Sequence, residues 1–138
     1  MTALENMAAF IAEHHVMTLA TADEAGMPHC ASVFYAYDEK RNVFVFASGA
    51  DTGHARQMTA RPDVAAAIHL ETGTVGKIRG LQLRGTALKT EAETDADLYF
   101  SAFPYARVMR PVLWRLEPAW MKLTDNRLGF GKKLVWEA

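Results

Sequence analysis

A chain of 138 residues has the length of one typical domain, and we expect residues 1–138 to form a single domain. Half of the residues are hydrophobic, which excludes global disorder, and 15 basic against 16 acidic residues give a net charge of -1, which argues against nucleic-acid and membrane partners. Cys30 is the only cysteine, so an intrachain disulfide is excluded, and we expect a cytoplasmic protein without a targeting or membrane-spanning segment.

The first predicted elements are a helix and a β-hairpin. Apolar residues at helical spacing predict an amphipathic helix over Thr2–His14, with Thr2 and Glu5 placed for a capping box. Val16–Ala22 and Met27–Asp38 are rich in β-forming residues, and the short stretch between them is typical of a hairpin turn.

Both faces of the second predicted strand carry apolar side chains. Alternation places Cys30, Ser32, Phe34 and Ala36 on one face and His29, Ala31, Val33, Tyr35 and Tyr37 on the other. Because neither face is wholly polar, both need cover. The strand therefore predicts a barrel interior on one side and a partner, a ligand or a helix on the other.

The central segment predicts a short helix between two buried strands, Val43–Ala47 and Val64–Ile68. Ser48, Asp51 and Thr52 are all residues that favour a helix N-cap, and the helix ends at about Arg61, because a proline follows. A helix N-terminus offers free N–H groups and the positive end of its dipole, and the hydroxyl groups of Ser48 and Thr52 add donors, so this start suits a phosphate. An ordinary capped surface helix explains the same pattern, and the sequence leaves both interpretations open.

Helical spacing places His54, Gln57 and Arg61 on one face of this helix. Arg56 lies on nearly the opposite side from His54. We therefore count His54 and Gln57 among the candidate binding residues and leave Arg56 out.

A long strand is predicted over Lys77–Thr90, where Gly80 and Gly85 mark the bends or bulges that would close a barrel. Gln82 and Arg84 share one face, and this pair suits a carbonyl-rich ring or a carboxylate. An exposed edge strand is the alternative interpretation.

The C-terminal part predicts one helix and further strands. Glu91–Phe103 has helical spacing, Pro111–Glu117 and Ala119–Asp125 read as two strands interrupted by Pro118, and Leu128–Trp136 reads as a last extended segment.

Glycines and lysines meet within that last segment, over Gly129–Lys133. They could clamp a phosphate or a flavin, which makes Lys132 a candidate, or they could guard an edge strand against aggregation. Apolar side chains on both faces of Met27–Asp38, together with Trp114, Trp120 and Trp136, exceed what one small barrel needs inside and predict an isologous dimer.

Several motifs that carry catalysis are absent. The five histidines lack His-Glu-x-x-His spacing, there is no Cys-x-x-Cys, and we expect no metal site. There is also no Gly-x-Ser-x-Gly elbow, Walker loop or Gly-x-Gly-x-x-Gly fingerprint. A barrel with a phosphate-compatible helix start and no evident acid–base set favours chemistry carried by a bound cofactor.

The order of these motifs resembles a known family. The motifs are Leu19-Ala20-Thr21, Gly26-Met27-Pro28, Ser32-Val33-Phe34, Phe46-Ala47-Ser48, a helix with Thr52, His54 and Gln57, and Arg61-Pro62-Asp63-Val64-Ala65. In this order they resemble the pyridoxamine 5'-phosphate oxidase-like, flavin-binding split-barrel family. The C-terminal stretch Thr124–Lys133 is similar to the signature of an uncharacterised bacterial subgroup of that family.

The resemblance implies an all-β core with accessory helices, a six-stranded antiparallel split barrel, and a homodimer that binds FMN at the subunit interface. It implies that Ser32, Val33 and Phe34 line the isoalloxazine ring, largely through backbone groups. It further implies that Ser48, Thr52 and His54 hold the phosphate and that Gln82 lies near the ring.

The chain departs from the family at two places. Relatives that bind flavin commonly carry Lys or Arg where this chain has Thr52 and His54, so the phosphate would lose permanent positive charge. The Arg-rich C-terminal substrate motif of true pyridoxamine phosphate oxidases is missing, so vitamin B6 synthesis is not implied. The leading hypothesis is an FMN-dependent oxidoreductase acting on a small molecule, and the alternative is a non-catalytic flavin- or haem-binding protein of the same fold.

Overall fold

The structure, a computed structural model, describes residues 1–138. Seven strands are present: β1 (Val16–Ala22), β2 (Pro28–Asp38), β3 (Val43–Ala47), β4 (Asp63–His69), β5 (Arg79–Thr90), β6 (Leu113–Asp125) and β7 (Lys133–Glu137). Three α-helices accompany them: α1 (Ala3–Ala12), α2 (Gly53–Ala60) and α3 (Glu93–Ala102). Short 3₁₀ helices cover Val75–Lys77, Pro104–Met109 and Asn126–Leu128. None of the helices is long and apolar enough to cross a membrane.

Six of the strands close into an antiparallel barrel. Neighbouring strands run in the order β3, β2, β1, β4, β5, β6, and a further pairing between β3 and β6 closes the ring. β6 can serve three partners because it is long: it pairs with β5 throughout, with β3 near its start and with β7 near its end. The predicted fold class, an all-β split-barrel core with accessory helices, is confirmed.

The barrel interior forms the main hydrophobic core. Its largest fully buried side chains include Trp114, Phe44, Phe46, Leu81 and Met121. Trp136 packs against the same core. These two tryptophans therefore serve the fold of one chain, which removes part of the sequence argument for a dimer.

Helix α1 begins as predicted. The Glu5 N–H donates to the Thr2 hydroxyl at 3.1 Å, and the Thr2 N–H donates to the Glu5 carboxylate at 3.4 Å, which completes the capping box. Phe10 and Ile11 are fully buried, and the Tyr35 hydroxyl donates to the Ile11 carbonyl at 2.6 Å. The helix thus closes the barrel beside the start of β1.

Helix α3 lies outside the barrel and covers one of the two apolar faces of β2. Tyr99 packs there against Ala36 and Val45. Asp95, which is fully buried, accepts hydrogen bonds from Arg41 and Arg115, both at 2.9 Å. These ion pairs hold α3 against the strands. Of the three covers expected for this face of β2, a partner, a ligand or a helix, the structure shows a helix.

The interruption predicted at Pro118 is wrong. Leu113–Asp125 is one strand, because Pro118 sits at a bulge: Arg84 pairs with Trp120 and Gly85 pairs with Pro118, which leaves one residue of β6 over. A proline has no N–H to donate, and the bulge removes the need for one.

The predicted extended segment Leu128–Trp136 is also wrong in its first half. Asn126–Leu128 is a 3₁₀ turn, the strand begins only at Lys133, and a tight turn lies between them. Gly129 and Gly131 take positive φ values of 132° and 73°, which an extended strand does not use.

Candidate functional site

Three predicted phosphate-binding residues meet where β3 passes into α2. The hydroxyl oxygen of Ser48 lies 2.5 Å from Nε2 of His54 and 3.2 Å from the hydroxyl oxygen of Thr52. Thr52 is the N-cap: its hydroxyl accepts from the Ala55 N–H at 3.2 Å and donates to the Gly49 carbonyl at 2.8 Å. The resemblance grouped these three residues, and their side chains are in contact in the structure, while their role as phosphate ligands stays a prediction.

Residues of the barrel bind both backbone polar groups of Ser48. Its N–H donates to the Val112 carbonyl, and its carbonyl accepts from the indole N–H of Trp114, both at 3.0 Å. Because Ser48 is buried and tied by both backbone groups, its hydroxyl direction is set by the barrel.

The cluster carries little positive charge. Burial lowers the pKa of His54, and the nearby His29 lowers it further, since two imidazolium ions would repel. The two rings are stacked, with centroids 6.3 Å apart and planes inclined by 12°. The site thus offers hydroxyl groups, backbone N–H groups and a neutral imidazole as donors at neutral pH.

Gln57 and Arg61 do not join His54, although helical spacing places all three on one face. The side-chain amide oxygen of Gln57 accepts from the Thr21 hydroxyl at 2.5 Å, and the Arg61 side chain donates to the Glu24 backbone carbonyl at 2.8 Å. Together with Arg56 they line a separate concavity of about 460 Å³ against the β1–β2 turn. A residue of β1 thus binds the Gln57 side chain, and helical spacing alone does not predict this contact between two elements.

The N-terminal half of β2, Pro28–Phe34, forms an open edge of the barrel next to this cluster. β3 pairs only with Tyr35–Asp38, whereas β1 pairs with Pro28–Phe34, so the second edge of Pro28–Phe34 lacks a strand. The Tyr35 N–H donates to the His15 carbonyl on the β1 side at 2.9 Å. By alternation the Val33 amide also faces β1, while the Ser32 and Phe34 amides face the other way.

This geometry separates the three predicted ring contacts. Ser32 and Phe34 have exposed side chains, and Phe34 is 57% exposed beside Phe103. Val33 is 8% exposed and belongs to the barrel core. Because its side chain and its amide are both used within the barrel, Val33 is removed from the candidate site.

Gln82 occupies the outer face of β5, as its alternation predicts. It lines a shallow concavity of about 400 Å³ with Cys30, Ala67 and Trp120. The guanidinium carbon of Arg84 lies 4.4 Å from the centre of the Trp120 ring. Gln82 is therefore on the same outer surface as Ser32 and not in the His54 cluster.

Lys132 lies far along the barrel from the other candidates. Its carbonyl accepts from the N–H of Asp125, the last residue of β6. Ser48 is bonded to Val112, the residue that precedes β6, so Lys132 and Ser48 lie at opposite ends of this strand. Asn126 builds this tip: its side chain donates to the Val75 carbonyl at 2.8 Å and accepts from the Gly131 N–H at 3.0 Å. Within one chain the structure does not bring Lys132 to the cluster.

The sequence analysis missed His29 as a neighbour of His54. The alternation of β2 placed His29 on the same face as Val33 and Tyr35, but only the fold brings α2 over that end of the strand, where His29 is exposed. The available signal was a histidine close to a hairpin turn, on the same face of its strand as the core residues.

The chain matches the pyridoxamine 5'-phosphate oxidase family over residues 3–124. It is 38% identical to a UPF0306 protein of Cronobacter sakazakii over 139 residues, which covers 99% of this chain and 96% of that protein.

Solved structures share the fold at low sequence identity. A heme-binding protein from Mycobacterium smegmatis superposes with a TM-score of 0.83 at 20% identity, covering 99% of this chain and 58% of that one. The heme storage protein HutZ from Vibrio cholerae superposes with a TM-score of 0.67 at 16% identity, covering 86% of this chain and 91% of that one. Given the barrel, the α2 cluster and a family match over most of its length, this chain belongs to the pyridoxamine 5'-phosphate oxidase family.

Proposed function

We propose that this protein binds FMN, as a homodimer, and acts as a flavin-dependent oxidoreductase on a small molecule. The observation that carries the proposal is the Ser48–Thr52–His54 cluster at the start of α2, beside the open edge of β2, in a barrel of this family. The cytoplasmic location predicted from the lone cysteine belongs to the same proposal.

The donors of the cluster fit a phosphate group. Two hydroxyl groups converge on one imidazole within 3.5 Å, and the first N–H groups of α2 point the same way. The helix dipole adds partial positive charge. A bound phosphate would exchange the Ser48–His54 contact for hydrogen bonds to its own oxygens.

The open edge of β2 fits the flat ring. Ser32 and Phe34 direct amide groups away from β1, and such groups can bond the carbonyl and N–H positions of a flavin. The exposed Phe34 ring adds apolar surface. Bound FMN would supply hydride or electron transfer, while these residues hold and orient it. We assign no catalytic residue.

A second subunit would complete the site. The outer face of β1, β2, β4 and β5 is a shallow depression with mostly small side chains, and Ala20, Cys30, Ala65 and Ala67 lie around Gln82. Lys132 is remote from the cluster in its own chain, so we propose that it approaches the cofactor of the partner. This assigns Lys132 and Gln82 to the interface between two barrels.

Visible absorbance tests the proposal. Protein purified as expressed, or mixed with FMN and desalted, should keep the visible bands of a flavin. Colourless protein that takes up no FMN would overturn the proposal.

A haem-binding protein without flavin chemistry is the second candidate. The stacked His29 and His54 imidazoles favour it, since imidazole is a common iron ligand, and proteins of this fold from Mycobacterium smegmatis and Vibrio cholerae are named for haem. Mixing the protein with haem should then give a shifted Soret band that is lost in His29→Ala. An unshifted band excludes this candidate.

A further inference from the structure

A second cavity lies beside the residues that lead into β6, and one of its lining residues, Val112, accepts the Ser48 N–H. It measures about 850 Å³, is open to solvent on one side, and is bordered by the end of β5, by α3 and by the Pro104–Met109 turn. Its floor is apolar, with Phe100, Val112 and Leu113. None of the candidate flavin residues lines it.

Positive charge dominates the rim of this cavity. Lys89, Arg107 and Arg110 line it, against a single acidic residue, Glu91. Neither arginine side chain makes a hydrogen bond or an ion pair, in contrast to Arg115, which pairs with Asp95 and Glu117. The donors of both guanidinium groups are free for a ligand.

The apolar floor orients one of these groups. The guanidinium carbon of Arg107 lies 4.6 Å from the centre of the Phe100 ring. A guanidinium stacked on an aromatic ring keeps its N–H groups at the edge, where they can bond a carboxylate or phosphate in bidentate fashion.

The backbone at Arg110 sets the direction in which its side chain leaves the chain. Arg110 has φ 47° and ψ 54°, a left-handed conformation that is uncommon for residues other than glycine and asparagine. Its N–H donates to the Arg107 carbonyl at 3.2 Å, which closes the turn. Strained residues of this kind cluster at binding sites, and here the strain sets the direction in which Arg110 leaves the chain.

We propose that this cavity binds a small molecule with a carboxylate or phosphate group on a flat apolar body. The two guanidinium groups and Lys89 hold the anionic group, and Phe100 and Leu113 contact the apolar part. None of the lining residues is a candidate flavin ligand, so binding of the anion and binding of FMN are tested independently.

Titration calorimetry with benzoate, phenyl phosphate and uncharged benzyl alcohol tests this proposal. We expect both anions to bind more tightly than benzyl alcohol, and the tighter of the two identifies the anionic group. Arg110→Asn keeps a residue suited to the left-handed backbone and should weaken the anions about tenfold, as should Arg107→Gln. FMN binding should be unchanged in Arg110→Asn.

Lys40→Asn is the matched control, because it removes one exposed positive charge from the β2–β3 turn, away from the cavity. It should leave anion binding unchanged. The proposal is overturned if neither anion binds, if benzyl alcohol binds as well as benzoate, or if Arg110→Asn and Arg107→Gln bind the anions like the unmodified protein.

Discussion

His54 is the one proposed phosphate ligand whose charge can change. Burial lowers its pKa in the free protein and His29 adds to that decrease, so the imidazole is neutral at pH 7. A phosphate dianion within hydrogen-bonding distance favours the imidazolium ion and raises the pKa. Binding therefore takes up a proton, and FMN affinity should be highest at acidic pH and fall as the pH rises through the pKa of the complex.

Substitutions at His54 test this. His54→Lys keeps a permanent charge, so it should bind FMN more tightly than the unmodified protein at pH 8 and with a flatter pH dependence. His54→Ala should lose about 1.5–3 kcal/mol of binding free energy if a charge-assisted hydrogen bond is lost. Quenching of FMN fluorescence at pH 6 and pH 8 measures both.

Arg56→Ala is the control, since Arg56 donates to the Asp51 carbonyl and not to the cluster. If Arg56→Ala weakens FMN binding and the His54 variants do not, the phosphate lies on the other side of α2, in the concavity lined by Arg56 and Arg61.

Gly85 is required by the bulge in β6. A Cβ at this position would collide with the backbone carbonyl of Glu117 and lie 2.9 Å from the Cα of Pro118. Since backbone cannot move aside easily, Gly85→Ala should cost about 1–3 kcal/mol of unfolding free energy. Gly76→Ala, with open space around its Cβ position, should change the urea midpoint little; equal midpoints for both variants would contradict the assigned register.

At the scale of elements, α3 depends on one buried carboxylate. Burial raises the pKa of Asp95, but the hydrogen bonds from Thr90 and Arg41 and the charge of Arg115 outweigh it and hold the pKa below its usual value. A carboxyl group with a lowered pKa stabilises the fold above about pH 4, its unfolded value, and this contribution is lost as the pH falls through the folded pKa.

Asp95→Ala should therefore destabilise the protein by about 2–3 kcal/mol, less than for a fully buried pair because Arg41 and Arg115 keep part of their surface in water. Asp97→Ala, an exposed neighbour on the same helix, is the control. Urea unfolding at pH 7 and pH 3.5 should find the gap between the two variants smaller at the acidic pH. A gap that widens would contradict the assigned charge.

The sequence predicted those elements whose signals are local. The Thr2 cap and the alternation of β2 depend on neighbours within a few residues, and both stand where expected, while the structure selects Thr52 from three candidate caps of α2. The uninterrupted β6 was missed because Pro118 is tolerated only through its partner Gly85, a residue remote in sequence. The Gly129–Lys132 turn was missed because Asn126 defines it with bonds to Val75 and Gly131.

The same distinction between local and remote contacts applies to the candidate site. Ser48, Thr52 and His54 are close in sequence and meet in space. Gln57 is held by Thr21 and Val33 is turned inward, and neither could be read from spacing along one element because a second element decides it. Lys132 stays a prediction that depends on a partner subunit.

At the scale of the whole molecule, we predict an isologous dimer through the outer face of β1, β2, β4 and β5. This face carries small side chains, and Ser32 and the exposed Phe34 adjoin it. Ala67→Glu places a charge in its middle and should give a monomer that no longer retains FMN.

Val75→Glu is the control, because it adds the same charge at a residue that is 57% exposed and outside this face. Light scattering at micromolar concentration should report a dimer for the unmodified protein and for Val75→Glu. A monomer mass for the unmodified protein would contradict the interface.

FMN and riboflavin differ only by the phosphate group, so the ratio of their affinities measures how much the phosphate contributes to binding. Fluorescence quenching at pH 6 should find FMN about 10–100-fold tighter than riboflavin, which corresponds to the free energy of about one hydrogen bond to a charged group. Ser48→Ala should reduce this ratio, because it removes the hydroxyl group that lies within hydrogen-bonding distance of His54. Equal affinities for FMN and riboflavin in the unmodified protein would contradict a phosphate site at Ser48, Thr52 and His54.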